Sequence, residues 1–163
     1  MFYEKQKFNQ WWIWTMLLIT VLAIAYGILS GKADPTERYG LLISITLVSI
    51  ISTLLYFTNL ETRMDGHGIT LRFFPFQRVY YYVKWEELQN IQVRKYNAIK
   101  EFGGWGIRFN FAGEKAYTIR GKEGVQLVLK SDKKFLIGTQ DSKSMIAFLE
   151  KLNLTQLQQP DLQ

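Results

Sequence analysis

The 163-residue chain has no cysteine and a single histidine, His67. These absences remove disulfides, thiolate metal ligands and thiol nucleophiles. They also leave too few imidazoles for a zinc site of several histidines, or for any Ser-His-Asp triad not forced onto His67. Charge is missing from two long stretches: residues 8–31 and 39–60 contain no Asp, Glu, Lys or Arg. The chemistry that remains is that of carboxylates, amines, guanidiniums and hydroxyls. The overall composition, 48% hydrophobic and 21% charged with mean hydropathy −0.06, excludes a polytopic transporter and a disordered chain. The average hides a division. Residues 1–60 hold four basic and three acidic side chains, and the rest of the chain holds 16 and 11, so the net charge of +6 falls as +1 and +5.

Each uncharged stretch is long enough to cross a bilayer, because roughly 20 apolar residues at about 1.5 Å rise span the roughly 30 Å hydrocarbon layer. The spacing predicts spans over about 11–30 and 40–60. In the first, nine residues from Ile13 to Leu29 are Leu, Ile or Val, worth on the order of 4 kcal/mol towards insertion at about 0.4 each. In the second, Ser44, Thr46, Ser49, Ser52 and Thr53 are the polar minority, and their hydroxyls can bond back to helix carbonyls. Trp11, Trp12 and Trp14 at one end of the first span, with Tyr39 and Tyr56 near the ends of the second, fit interfacial belts. A cleaved signal peptide is the competing reading of the first stretch. The run is longer than a usual signal core, opens with tryptophans and lacks a small-x-small cleavage site. Residues 32–38 leave room only for a turn, so the pair reads as a helical hairpin with both chain ends on one side. Lys5, Lys7, Arg63, Arg72 and Arg78 at those ends outnumber Lys32 and Arg38 in the turn, which places the ends in the cytoplasm. Ala23 with Gly27, and Gly40 with Ser44, offer small-residue spacing for close helix approach.

After Leu60 the pattern alternates with period two, the signal of half-buried antiparallel strands. Seven strands are predicted, at 68–74, 78–85, 88–96, 106–111, 115–120, 125–130 and 134–137. Turns are marked by Pro75, Gly103-Gly104, residues 112–114, 121–124 and 131–133. Ile107, Phe109 and Phe111 share one face of a strand, as do Val125, Leu127 and Leu129. Asp141 or Ser142 then caps a helix carrying Met145, Ile146, Phe148, Leu149 and Leu152 at helical spacing. Residues 155–163 are polar and read as a frayed tail. The expected domains are a hairpin over 1–62, a strand-rich domain over 63–153 and a tail over 154–163.

Seven short strands and one amphipathic helix imply a bent sandwich or partly open barrel closed at one end by the helix. The sequence blocks Trp85-Glu86-Glu87-Leu88, Gly103-Gly104-Trp105-Gly106-Ile107-Arg108, Ala116-Tyr117, Gly121, Gly124-Val125-Gln126-Leu127 and Leu136-Ile137-Gly138-Thr139-Gln140 carry a resemblance. The chain resembles the bacterial pleckstrin-homology-like (PH-like) membrane proteins of unknown function, over roughly residues 64–152. The resemblance implies an α+β fold, namely a transmembrane hairpin followed by a PH-like seven-stranded antiparallel barrel capped by a C-terminal helix. It also implies a two-pass protein of the bacterial cytoplasmic (inner) membrane that binds lipid or protein and is seldom a catalyst. Eukaryotic relatives that bind phosphoinositides use a basic cluster around the first strand pair. This chain offers Arg72 and Arg78 with Phe73, Phe74 and Phe76 there, which argues against specific inositol-phosphate recognition.

Two sets of residues are candidates for function. Phe74, Phe76 and Arg78, with Trp11, Trp12 and Trp14, form a candidate membrane interface; the competing reading puts Phe73 in the core and Phe76 on the sheet edge. Arg94, Arg108, Gln92 and Asn110 form a candidate anion or partner site, since a hairpin of the third and fourth strands would set Arg94 nearly opposite Arg108. Like charges across a pair destabilise it unless an anion sits between them, and Glu101 or Glu114 is the intramolecular choice. Gly103-Gly104-Trp105-Gly106 lacks the ending of a phosphate loop and reads as a turn with Trp105 over the rim. His67 reads as a turn residue, Glu86 and Glu87 as solvated, and Lys130, Lys133 and Lys134 as a solvated basic turn.

The expectation is a membrane-anchored interaction module with no catalytic or metal site and no cofactor. Its partners would be membrane lipids and a membrane or membrane-associated protein. Nucleic acid is a poor partner for charge this dispersed. The alternative is an enzyme or accessory subunit using a cleft between the hairpin and the soluble domain, which converging carboxylates or a bound cofactor would reveal.

Overall fold

The structure, a computed structural model, describes residues 1–8, 10–30 and 34–152. The predicted tail lies outside the described residues, as do the first residues of the predicted inter-helix turn. The chain divides into two compact units, Phe8–Thr58 and a strand module made of Met1–Lys7 with everything from Asn59 onward.

The first unit is two apolar helices, α1 (Trp11–Leu29) and α2 (Pro35–Phe57), each long and apolar enough to cross a membrane. Their 19 and 23 residues correspond to about 28 and 34 Å. Helix α2 starts five residues earlier than the apolar run predicts, because Asp34 closes a capping box. Its Oδ1 accepts from the Glu37 N–H at 2.8 Å, Glu37 Oε2 accepts from the Asp34 N–H at 3.1 Å, and Pro35 takes the first helical position. The hydroxyls do turn inward: Ser44, Thr46, Ser49, Ser52 and Thr53 donate to carbonyls four residues back, at 2.7–2.8 Å. Of the small-residue positions, Gly27 is a point of close approach, since a Cβ there would lie 3.2 Å from Leu41 Cδ1, whereas Gly40 has nothing within 4 Å.

Among the described residues, the strand module contains nine strands in two sheets where seven strands in one barrel are expected. The first sheet is fully antiparallel and runs β1 (Phe2–Lys7), β2 (Asn59–Met64), β3 (Gly68–Phe74), β4 (Tyr81–Lys84). Strands β1 and β2 are the two that the sequence pattern hides. In β1 the inward residues are Phe2, Glu4 and Gln6, mostly polar, so no hydrophobic alternation marks it. Polar groups hold it instead: Gln6 Nε2 donates to the Gly138 carbonyl at 2.7 Å, and Glu4 accepts from Thr139 Oγ1 at 2.6 Å and the Gln140 N–H at 2.7 Å. The predicted strand at 78–85 shrinks to β4, followed by a 3-10 turn at Trp85–Glu87.

The second sheet has the order β5 (Leu88–Lys95), β8 (Glu123–Leu129), β9 (Lys134–Thr139), β7 (Lys115–Thr118), β6 (Gly106–Phe109). All its pairs are antiparallel except β7 with β9. A short helix, α3 (Ala98–Phe102), fills the predicted loop between β5 and β6, capped by Asn97 and ended by Gly103 in the left-handed region at φ +71°. Its Ala98 and Phe102, with Tyr96 and the half-buried Trp105, cover Ala116 and Leu136 on one face of this sheet. The opposite face buries Ile91, Val125, Leu127, Tyr117 and Ile137, while the first sheet buries Leu60, Met64, Ile69, Leu71, Phe73 and Val83. Gly124 and Gly138 are register partners, and a Cβ on Gly138 would lie 2.8 Å from the Tyr96 hydroxyl, so the bare backbone there makes room for the ring. Helix α4 (Ser142–Lys151) is capped by Asp141, which accepts from the Ser144 N–H, and buries Met145 and Leu149.

Candidate functional site

Two clusters on the strand module combine aromatic rings with cations. The first is a mouth of about 690 Å³ opening between the sheets. Tyr81 of β4 and Phe76 of the β3–β4 loop line one side, and Ile107, Phe109, Tyr117 and Phe135 of the second sheet line the other. Tyr81 and Phe135 touch across the gap with ring centroids 5.5 Å apart, and burial pushes the Tyr81 hydroxyl's pKa up. Phe76 and Phe109 are each 65% exposed, and Phe111, just beyond β6, is fully exposed. Three cations stand among these rings. Lys115 Nζ lies 5.5 Å from the Phe109 centroid and 4.8 Å from that of Tyr117. Lys133 and Lys134 enter from the β8–β9 turn, and Lys134 meets Glu114 at 3.5 Å.

The second cluster lies on the outer face of the first sheet and is closed around Glu61, whose side chain is 4% exposed. Alternation in β2 points Leu60, Thr62 and Met64 inward and Glu61 and Arg63 outward. Cross-strand register then brings Lys5 and Arg72 to either side of Glu61. Lys5 Nζ reaches Glu61 Oε1 at 2.7 Å, Arg72 Nη2 reaches Oε2 at 2.8 Å, and the Tyr80 hydroxyl donates to Oε2 at 3.0 Å. Burial pushes the carboxyl's pKa up, but the bonds from Lys5 and Tyr80 and the charge of Arg72 outweigh it and hold the carboxyl below its usual range. The hydrogen bond to Glu61, with its charge, raises Lys5. Arg72 and Arg63 stack on Tyr80 at 4.5 and 5.7 Å, and Arg63 also on Tyr3 at 5.1 Å.

The predicted set of Arg94, Arg108, Gln92 and Asn110 is not a cluster. Strand β5 pairs with β8 and β6 pairs with β7, so β8, β9 and β7 separate the two arginines at opposite edges of the sheet. Arg94 faces Gly124 in the register and Arg108 faces Ala116. The hairpin assumption failed because α3 carries the chain across the sheet. Arg94 is already paired, to Glu101 Oε2 at 2.8 Å and to Gln126 Oε1 at 3.1 Å. Burial tends to raise the pKa of Glu101, but the Asn97 N–H and Arg94 lower it overall. Arg108 donates to the Trp105 carbonyl at 3.2 Å, Asn110 bonds Glu114 at 2.9 Å, and Gln92 stands exposed opposite Gln126.

The predicted interface residues divide. Phe73 is buried in the core, Phe74 is half-buried, and Phe76 and Arg78 are exposed. In the other unit, Trp11 and Trp12 are exposed and Trp14 packs edge-on against Tyr56 at 6.3 Å. His67 sits in a turn whose Asp65 carboxylate accepts from the His67 and Gly68 N–H groups, and Glu86 and Glu87 are exposed. Among the described residues, no group of three or more His, Asp or Glu side chains is placed to hold a metal ion. Sequence reasoning missed the mouth. The alternation of Ile107, Phe109 and Phe111 marks one face of a strand but not where its burial ends: Ile107 is half-buried, whereas Phe109 and Phe111 are exposed. The available signal was the proximity in sequence of Phe109 and Phe111 to Gly113 and Lys115. No family model matches the chain, and a search of curated proteins finds no match either.

Proposed function

We propose that the chain is a two-pass, membrane-anchored interaction module of PH-like type, at the cytoplasmic face of a bacterial inner membrane, presenting its strand module to a lipid or protein partner. One observation carries this reading. Strand β1 precedes the two apolar helices, β2 follows them, and the two pair along their whole length, Phe2 with Met64 through Lys7 with Asn59. A single crossing would put these strands on opposite sides of a bilayer, whereas two crossings return the chain to complete the same sheet. The helices supply the apolar length, and the basic excess at the chain ends supplies the orientation. The strand module, residues 1–7 with 59–163, carries a net charge of +6, and such a module is attracted to an anionic leaflet by about 1 kcal/mol per cation close to the surface.

Because the chain has no cysteine, single-cysteine variants test the topology directly. Thr36→Cys at the start of α2 should react with a membrane-impermeant maleimide on intact spheroplasts, and Gln89→Cys only after lysis. Equal labelling of both from outside, or release of the chain by alkaline carbonate, would overturn the reading.

A further inference from the structure

We propose that the mouth between the sheets takes the headgroup of an anionic glycerophospholipid from the membrane that holds the helices; this rests on the anchored-module reading above. The first argument is position. Lys7 pairs with Asn59 and Asn59 with Phe74, so one end of the first sheet carries both chain connections to the apolar helices and the start of the β3–β4 loop. The four steps from Lys7 to Trp11 span at most about 14 Å, and Asn59 follows α2 after only Thr58. Phe76 on that loop lines the mouth together with Gly113 of the β6–β7 turn and Lys133 of the β8–β9 turn. The mouth therefore opens at the end of the module from which the chain leaves for the apolar helices.

The second argument is chemistry. Lys115, Lys133 and Lys134 outnumber Glu114, which Lys134 already meets, and Lys115 is held over the faces of Phe109 and Tyr117 instead of beside a carboxylate. Asp132 at the apex of the β8–β9 turn is not part of the lining. The cations suit a phosphodiester, and the exposed rings of Phe76, Phe109 and Phe111 suit the apolar layer beneath it. A charged groove meant for an acidic peptide gains nothing from the bare rings of Phe76 and Phe109 in its lining.

The test uses the full chain in nanodiscs, with an environment-sensitive fluorophore on Phe111→Cys. In phosphatidylcholine with about one-third phosphatidylglycerol, emission should shift to the blue and be quenched by brominated acyl chains; in phosphatidylcholine alone both effects should weaken. Changing Lys115, Lys133 and Lys134 together to Gln should reduce the affinity for phosphatidylglycerol at least tenfold, and Lys133→Glu with Lys134→Glu should reduce it further. Unchanged thermal unfolding would show that these variants fold. Emission indifferent to phosphatidylglycerol and to the lysines would overturn the inference. So would an equal response to millimolar inorganic phosphate, which marks a free-anion site, or lysine-dependent capture of an acidic peptide in phosphatidylcholine alone. If Thr36→Cys and Gln89→Cys report two crossings while the probe stays indifferent, only this inference fails. If they report no crossing, the anchored-module reading fails with it.

Discussion

The Glu61 cluster and the mouth are built from the same kinds of residue, aromatic rings beside lysine or arginine, but they differ in where a carboxylate sits. In the first, Glu61 stands at the centre with Lys5, Arg72 and Tyr80 bonded to it, and the charges are satisfied within the sheet. In the second, Glu114 reaches Lys134 from the edge at 3.5 Å, and Lys115 rests on rings. An internal counter-ion turns a cationic patch into a piece of framework, whereas its displacement leaves the charge for something outside the chain. Burial sharpens the contrast, because the Glu61 carboxylate is 4% exposed and costly to strip of its partners, whereas Glu114 and Lys134 keep 19% and 49% of their side chains in solvent.

The contrast is broken most severely by removing strand β1. A chain starting with Met directly before Phe8 loses Lys5 from Glu61, together with the Gln6 bond to Gly138 and the Glu4 bonds to Thr139 and Gln140. The expected loss is on the order of 5 kcal/mol, a large share of a domain's stability. Thermal unfolding in mild detergent should lose its cooperative transition; an unchanged transition would mean that β1 is ornamental.

Next comes Glu61→Gln, which should cost about 3 kcal/mol near neutral pH by leaving Lys5 and Arg72 without their anion. The pH dependence fixes the cause. Glu61 has a lowered pKa in the folded chain, so its stabilisation is present above the unfolded carboxyl value of about 4.3 and disappears as pH falls through the folded value. The gap between the parent and Glu61→Gln should therefore be constant from pH 7 down to about 5 and narrow progressively as the pH falls below the unfolded carboxyl value. A gap unaffected by acid would assign the loss to packing. Smaller again is Arg94→Gln, expected to cost up to about 1 kcal/mol, because Arg94 and Glu101 are 28% and 34% exposed. Denaturant titration against Glu101→Gln and the double variant would measure the coupling.

The legible parts of the molecule were those marked by uninterrupted or strictly periodic apolar residues. Both apolar helices, the Asp141 cap with Met145 and Leu149, and the alternation of Val125, Leu127 and Leu129 could be read directly. Strand β1 could not, because it is held by Glu4 and Gln6 bonding residues more than 130 positions away, and such contacts leave no local pattern. The anion site at Arg94 and Arg108 was a topological error. It took sequence neighbours for spatial ones, a sound default, but α3 and the insertion of β8, β9 and β7 between β5 and β6 defeated it. The sequence offers Phe76 either as interfacial or as packed on the sheet edge; its ring lies 6.2 Å from that of Phe73, and the residue is 65% exposed.

Phe109 distinguishes a mouth from an unfinished core with the smallest expected effect. It shares a face of the sheet with Tyr117 and Phe135, which are buried, so periodicity alone would place it among them. Its 65% exposure says that the core ends one residue short of it. Truncating a buried phenylalanine costs about 3–5 kcal/mol, while an exposed one changes stability by no more than about 0.5. Phe109→Ala should therefore leave the unfolding midpoint of the detergent-solubilised chain unmoved while removing one of the rings under Lys115. A loss above about 2 kcal/mol would show that the ring is part of the framework, like the Glu61 cluster, and that the mouth is closed.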